Sequence, residues 1–166
     1  IIYKYNFHYY IMKTMKKYTL FPIEYPKIWK AYKNHLSTFW TAEEIDLSQD
    51  LTNFKKMSTN EKKFIKMVLA FFAASDGIVF ENVSVNFIDY FDSQEIRCFY
   101  GFQSMIESIH SETYSNLIDT YIEDPTEKNK LFNAIETIPS IKKKAEWAFK
   151  WMKGQIKIPK VIPGLP

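Results

Sequence analysis

The chain has 166 residues, of which 46% are hydrophobic and 17% aromatic, enough for one domain with an apolar core. Its 22 Lys and Arg against 19 Asp and Glu give a net charge of +3, too balanced to indicate a nucleic-acid-binding surface. Four glycines and 25% charged residues exclude collagen-like and strongly disordered chains. The single cysteine, Cys98, cannot form an internal disulfide, so we expect a reducing compartment and a cytoplasmic protein.

Neither a membrane span nor an export signal is predicted. The longest uninterrupted apolar run, Met67 to Ala74, is far shorter than the ~20 residues of a spanning helix. The apolar start of the chain is interrupted by Lys4, Asn6 and His8, which is not typical of a signal peptide.

The first half of the chain carries two capping boxes, in which a hydroxyl and a Glu three residues later satisfy each other's free amides. The first box is 41–44. The second, 58–61, opens a pattern that predicts a long helix to about Phe91. Both indicate helix starts.

Similar signals continue in the second half. Ser93 is predicted to open a helix to about Glu123. A third box, 124–127, places a proline in the first helical position and opens a last helix, which Gly154 terminates and Pro139 kinks or splits. Strand signals are weak, and the sequence therefore predicts an all-α fold.

Asp76 is the one charged residue on an otherwise apolar helical stripe. Because an unpaired buried charge is costly, this carboxylate must be neutralised, hydrogen-bonded or bound to a metal. A cap or salt bridge with a neighbour explains it equally well. The apolar members of the stripe are Ile65, Leu69, Phe72, Ala73, Val79, Phe80 and Val83.

Glu107, His110 and Tyr114 follow on the next helix at spacings of three and four, within an arc of roughly 60°. Glu-x-x-His is how ferritin-like bundles hold a carboxylate-bridged metal pair, and neutral imidazole suits iron better than magnesium or calcium. On spacing alone, a surface Glu beside a satisfied interior His is the simpler interpretation. The combination with Asp76 favours the metal site.

Other candidates have simpler explanations. Trp40 follows Phe39 directly before a capping box, where core packing accounts for an aromatic residue. Cys98 is predicted to be a small buried hydrophobe. The lysine run 142–144 is typical of a solvated helix face.

Five stretches resemble the small, radical-bearing subunit of eukaryotic class I ribonucleotide reductase. They are FPIEYPKIW, FWTAEEIDLSQD, LAFFAASDGIVFEN, RCFYGFQSMIESIHSETYSNLIDTYI and LFNAIETIPSIKKKAEWAFKW. The resemblance covers about Leu20 to Met152, the N-terminal half of that family's fold, and implies a ferritin-like helical bundle.

The resemblance also implies residue roles. Asp76 matches the first terminal metal ligand, and Glu107 and His110 match the bridging carboxylate and the imidazole ligand. Tyr114 matches the tyrosine that carries the radical, and Trp40 matches a tryptophan in the radical path to the large subunit. In the family, a di-iron centre, in which manganese could replace iron, supports ribonucleoside-diphosphate reduction for DNA replication, and the parent small subunit is expected to be a homodimer.

The chain departs from the family in ways that predict a fragment. The family's site needs ligands from four helices, and this chain supplies only the first two. After Trp151 it runs into GQIKIPKVIPGLP, where VIPGL resembles a later family stretch, which suggests an internal deletion or a misjoined sequence. The docking tail for the large subunit is also missing. We therefore expect an inactive chain that folds poorly or as an open helical layer.

Two alternatives stay open at this stage. The chain could be a non-catalytic helical fragment that associates with an intact small subunit, or another ferritin-like oxidase. The second has no reason to keep Tyr114 together with FWTAEE. The predicted division is an unassigned segment 1–19, a partial ferritin-like region 20–154 and a proline-rich tail 155–166 outside the family pattern.

Overall fold

The computed structural model describes residues 18–88, 91 and 93–153, and these ranges contain helices and no strands, as predicted. A 3-10 turn covers Ala42–Glu44, and a π-helical segment, Asn82–Phe87, directly continues the third α-helix. None of the described helices is both long and apolar enough to cross a membrane. The α-helices are α1 Pro26–Leu36, α2 Asp50–Lys56, α3 Thr59–Glu81, α4 Gln94–Tyr121, α5 Pro125–Phe132, α6 Ala134–Thr137 and α7 Pro139–Met152.

The capping box at Ser58 starts α3 as predicted. The backbone N–H of Ser58 donates to Oε2 of Glu61 at 2.8 Å, and the backbone N–H of Glu61 donates to Oγ of Ser58 at 3.3 Å. The Ser58 hydroxyl also donates to Glu61 Oε2 at 2.7 Å. These bonds hold the pKa of Glu61 below its usual value and fix the point where the helix begins.

One prediction about a helix start needs correction, and one helix was missed. The box at 41–44 gives only the 3-10 turn, and the next α-helix begins later, at Asp50. Between them, Asp46 Oδ1 accepts a hydrogen bond from the backbone N–H of Ser48, a local turn that competes with helix. Helix α1 was not predicted, although Pro26 occupies its first turn, the position that proline favours.

The last predicted helix is divided into three. Asp124 caps α5 by accepting hydrogen bonds from the backbone N–H groups of Thr126 at 3.1 Å and Glu127 at 3.3 Å. Pro139 starts α7, so the predicted split is confirmed. A further break at Asn133, where ψ is 34°, was not predicted. The predicted terminator Gly154 lies outside the described residues.

The chain divides into two compact units, and the larger core belongs to the unit formed by Ala42–Val79 and the described part of Ser108–Pro166. Burial of these apolar side chains is the main stabilising term for the unit. Tyr114 and Tyr121 of α4 pack against the core and are partly buried. The buried members are Phe54, Leu69, Ala70, Ile118, Ile122, Leu131, Ala134, Ile138 and Ile141.

The other unit comprises Phe80–Glu107 and the described part of Ile1–Thr41. Its Glu95 is 2% exposed and accepts a 2.6 Å hydrogen bond from the backbone N–H of Glu24 and a 2.8 Å bond from the Ser93 hydroxyl. Burial raises the pKa of Glu95, but these donors and the backbone N–H groups of Glu95 and Tyr25 lower it to about 2. The carboxylate therefore stays charged and fastens the segment before α1 to the start of α4.

Candidate metal centre

Asp76 of α3 and Glu107 and His110 of α4 form a compact group of potential metal ligands. One ligand atom of each residue lies within 4.8 Å of the others. Asp76 Oδ2 is 3.9 Å from His110 Nδ1, and the Asp76 side chain is only 13% exposed. The structure therefore brings together the three residues that the sequence predicted as ligands.

Local packing explains how these side chains come to face each other. Glu107 and His110 lie one turn apart on the continuous helix α4, so both project from one face. Leu69 and Ala70 of α3 share the core with Ile118 of α4, and Ala70 is fully buried. Rotation of α3 or α4 about its axis would expose these core residues, so the packing fixes which faces of the two helices meet.

The donor set fits a divalent transition metal. Two carboxylates and one imidazole combine negative charge with a nitrogen ligand that iron and manganese accept, whereas magnesium and calcium favour oxygen alone. Three protein ligands are sufficient to hold one ion, and they leave coordination positions for further ligands. A second ion would need donors beyond these three residues.

Tyr114 lies one turn beyond His110 on α4. Its ring centroid is 6.5 Å from that of His110, and its ring stacks on Phe72 at 5.3 Å with an interplanar angle of 14°. The same side chain packs against the core of its unit. The phenol is thus held beside the ligand group in a fixed orientation, as the spacing of Glu107, His110 and Tyr114 predicted.

Part of the apolar stripe that carries Asp76 is exposed to solvent. Phe72 is 38% exposed, Val79 37% and Phe80 41%. A covered stripe would bury these side chains, because each large apolar residue gains about 1.5–3 kcal/mol on full burial. These three side chains leave apolar surface exposed around the end of the helix that carries Asp76.

The structure assigns no ligand position to the remaining predicted residues. Trp40 is half-buried just before the 3-10 turn, and its role in radical transfer stays a prediction. Cys98 is partly buried, and burial and nearby Glu95 raise the pKa of its thiol, which agrees with an unreactive cysteine. Lys142 and Lys143 are exposed, as predicted, and Lys144 Nζ lies 4.4 Å from the centre of the Phe71 ring.

Sequence reasoning missed one polar pair in the same unit. The Tyr121 hydroxyl donates a 2.9 Å hydrogen bond to Asp50 Oδ2, and the Tyr121 ring stacks on Phe54 at 4.8 Å. The seven-residue spacing from Tyr114 places Tyr121 on the same face of α4, but no local pattern points to Asp50, which lies 71 positions away in the sequence.

The helices and this candidate ligand group are typical of all-α proteins of the ferritin-like type, which hold metals with carboxylate–histidine groups on their helices. The family model described as ribonucleotide reductase, small chain, matches residues 17–162. The chain belongs to this family.

Curated relatives agree with the family. The chain is 56% identical over 143 residues to the ribonucleoside-diphosphate reductase small chain of Trypanosoma brucei brucei, covering 86% of this chain and 42% of the relative. It is 59% identical over 144 residues to the small subunit of Dictyostelium discoideum, covering 86% and 43%. The chain therefore spans less than half the length of these relatives.

Solved structures agree on the fold. The Rnr4 homodimer of Saccharomyces cerevisiae shares 37% identity with a TM-score of 0.68, covering 83% of this chain and 43% of that one. The dimanganese(II)-NrdF of Streptococcus sanguinis has a TM-score of 0.74, covering 83% and 48%, and at 22% identity shows the fold alone. The predicted all-α, ferritin-like fold is confirmed. The predicted division at residues 19 and 154 stays a prediction.

Proposed function

We propose that this chain carries part of the radical-generating site of a ribonucleoside-diphosphate reductase small subunit, with Tyr114 as the radical-bearing residue. The observation that carries the proposal is the position of Tyr114, one turn from His110 in a group that already contains two carboxylates. Membership of the small chain family and the names of the relatives support it.

Asp76, Glu107 and His110 are the residues that would hold metal. Iron is the proposed metal, and manganese is the alternative, since the Streptococcus sanguinis neighbour is described as a dimanganese(II) protein. When bound, the metal supplies with dioxygen the oxidising equivalent that a tyrosine alone cannot generate. The two carboxylates would balance the charge of a divalent cation, and the His110 imidazole would supply a nitrogen ligand.

Tyr114 is the residue that stores the oxidising equivalent. Its phenol loses one electron and its proton, which leaves a neutral phenoxyl radical. The stacked Phe72 ring and the apolar core restrict the approach of reductants from one side of the Tyr114 ring. The exposed apolar side chains of Phe72, Val79 and Phe80 leave surface near this site that a partner chain could cover.

The wider function belongs to an assembly. We propose that the oxidising equivalent passes through Trp40 to a large subunit, which reduces ribonucleoside diphosphates to supply deoxyribonucleotides for DNA replication in the cytoplasm. A homodimer is proposed for the small subunit, in line with the yeast Rnr4 homodimer. No nucleic-acid or membrane partner is proposed.

The isolated chain is proposed to be inactive because the part of it that the structure describes supplies one group of three ligands, too few for a two-metal site. A second candidate function is a non-catalytic helical chain that associates with an intact small subunit. The exposed side chains of Phe72, Val79 and Phe80 favour it, since apolar surface on a ligand-bearing helix is a surface for association. Co-purification with a tagged full-length small subunit tests this candidate, and it fails if the two chains elute separately.

The experiment that tests the main proposal is anaerobic Fe(II) loading followed by air, electron paramagnetic resonance and iron counting. A tyrosyl signal that Tyr114→Phe abolishes and Tyr100→Phe leaves intact assigns the radical to Tyr114. Two irons per chain with that signal would mean that another chain supplies the missing ligands. One iron or none with no signal, followed by a signal when a full-length relative is added, supports an incomplete site. A signal that persists in Tyr114→Phe contradicts the proposal.

A further inference from the structure

The contact between Tyr121 and Asp50 joins the end of α4 to the start of α2. The Tyr121 hydroxyl donates to Asp50 Oδ2 at 2.9 Å, and Asp50 is the first residue of α2. One turn later on α2, Phe54 stacks on the Tyr121 ring at 4.8 Å and 9°. The α2 segment therefore supplies both a carboxylate and a ring for this one tyrosine.

The surroundings keep the partly buried Tyr121 phenol protonated. Burial, together with the hydrogen bond and the negative charge of Asp50, raises the pKa of Tyr121 to about 12. Its ring packs against the core that contains Phe54, Ile118 and Ile122. At neutral pH the phenolic proton therefore lies in a hydrogen bond that points to a carboxylate.

Tyr121 also lies on the same face of α4 as the proposed radical site. Seven residues separate it from Tyr114, which is about 10 Å along the helix axis. His110, Tyr114 and Tyr121 fall within an arc of about 40° at 100° per residue. Leu117, which packs against the core, lies between the two tyrosines on this face. The face thus presents a metal ligand, a tyrosine and a second tyrosine with its own carboxylate.

This arrangement fits proton-coupled oxidation. A neutral phenol that loses an electron becomes a strong acid, so its oxidation needs a group that takes the proton at once. A carboxylate within hydrogen-bond distance of the phenol is such a group. We propose that Tyr121 is a second redox-active tyrosine, with Asp50 as its proton acceptor, and that it exchanges one oxidising equivalent with Tyr114. The exchange rests on the proposed function of Tyr114.

In the exchange step, Tyr121 is oxidised and the Tyr114 radical is reduced. One electron leaves the Tyr121 phenol and reduces the Tyr114 phenoxyl radical. The Tyr121 O–H bond breaks, and its proton moves to Asp50 Oδ2, which becomes a neutral carboxylic acid. The reduced oxygen of Tyr114 takes a proton from solvent and becomes a phenol. In the reverse step Asp50 returns its proton to Tyr121.

The first test needs no metal. The full chain is mixed with tris(bipyridine)ruthenium(II) and a cobalt(III) electron acceptor, and a light flash produces ruthenium(III), a one-electron oxidant. Phenoxyl formation is followed by transient absorption. We expect a fast component that disappears in Tyr121→Phe and persists in Tyr100→Phe, a matched half-buried tyrosine. If Tyr121→Phe leaves the wild-type kinetics unchanged, the proposal is overturned.

The role of Asp50 is separated from simple packing by its variants. Asp50→Asn keeps an oxygen acceptor but removes the base, and we expect the fast component to slow by about 100-fold, the lower end of what a positioned base contributes. Asp50→Glu should restore a fast component. Urea melts of both variants show whether the fold is retained. Equal slowing in Asp50→Asn and Asp50→Glu, with retained folds, contradicts the base role.

The exchange with Tyr114 has its own readout. In the same flash experiment, Tyr114→Phe should remove the kinetic phase in which the Tyr121 radical decays to a second phenoxyl radical. An unchanged decay overturns the exchange and leaves Tyr121 as an isolated redox-active residue. A radical signal after iron loading that persists in Tyr114→Phe would contradict the proposed function of Tyr114 as the stable radical site, without altering the flash results.

Discussion

Two regions of helix α4 each place a carboxylate beside other polar groups, with opposite outcomes. At the start of the helix, Glu95 is fully buried and surrounded by hydrogen-bond donors from its own chain. In the middle, Glu107 lies with a second carboxylate and a histidine. The carboxylate of Glu95 is held by donors of its own chain and is structural, whereas the carboxylates grouped with His110 are candidates for binding a cation.

The largest expected effect is on metal binding at the group of Asp76, Glu107 and His110. Asp76→Ala should remove binding of a single divalent ion such as Co²⁺, a loss greater than the roughly 10- to 100-fold cost of losing an outer partner of a metal site. Titration followed by the visible absorption of Co²⁺ measures it. Glu112→Ala, which removes an exposed acid two residues after His110, should leave binding unchanged. Equal loss in both variants would show that binding is nonspecific attraction to acidic charge.

A substitution of Glu95, at the start of α4, should change the stability of the chain but not metal binding. Glu95→Gln replaces a buried charge that accepts several hydrogen bonds, and we expect the free energy of unfolding to fall by about 3 kcal/mol. Urea denaturation measures the change. Metal binding at Asp76 should be unaffected in the folded fraction. A matched substitution of the exposed carboxylate of Glu61 to Gln should cost much less.

Low pH should also remove the contribution of Glu95 to stability. Because the folded-state pKa of Glu95 is lowered from 4.5 to about 2, its contribution is present above pH 4.5 and is lost as the pH falls toward 2. A shift of this size corresponds to about 3 kcal/mol. Thermal melts from pH 6 to pH 2 should therefore show a smaller decrease in Glu95→Gln than in the wild type. Parallel decreases in the two proteins would contradict this assignment.

The smallest effect is expected beside Asp76. A Cβ added at Gly77 meets no atom within 4 Å, and the residue is within helix α3. Gly77→Ala should stabilise the chain by up to about 1 kcal/mol because alanine favours the helix, and Co²⁺ binding should not change. Chemical denaturation and the same titration measure both quantities. A loss of binding would mean that Gly77 has a role beyond its backbone.

Local rules predicted the parts of the fold that local chemistry controls. The reciprocal bonds of Ser58 and Glu61 set the start of α3, and Asp124 with Pro125 sets the start of α5. The same rule failed at 41–44 because a capping pair does not by itself supply the packing that a helix needs. Helix α1 was missed because no capping side chain marks its start, since Tyr25 makes no side-chain cap, although its apolar residues recur at helical spacing.

The candidate site shows the same division. Helical spacing was enough to place Glu107, His110 and Tyr114 on one face, because all three belong to one continuous helix. The approach of Asp76 depends on the packing of α3 against α4, and the resemblance to the family anticipated it. The pair of Tyr121 and Asp50 joins residues 71 positions apart, which no local pattern could bring together. Distant polar pairs of this kind require the folded structure.

The ligand group has a consequence for the order of folding. Asp76, Glu107 and His110 all come from 35 consecutive residues, so closing the chain between them requires only a short loop. Contacts of short separation form quickly, and a chain leaving the ribosome exposes its earlier segments first. The three ligands can therefore meet before more distant segments have been synthesised, and a metal ion captured at that stage would help to hold the two long helices together while the rest of the protein forms.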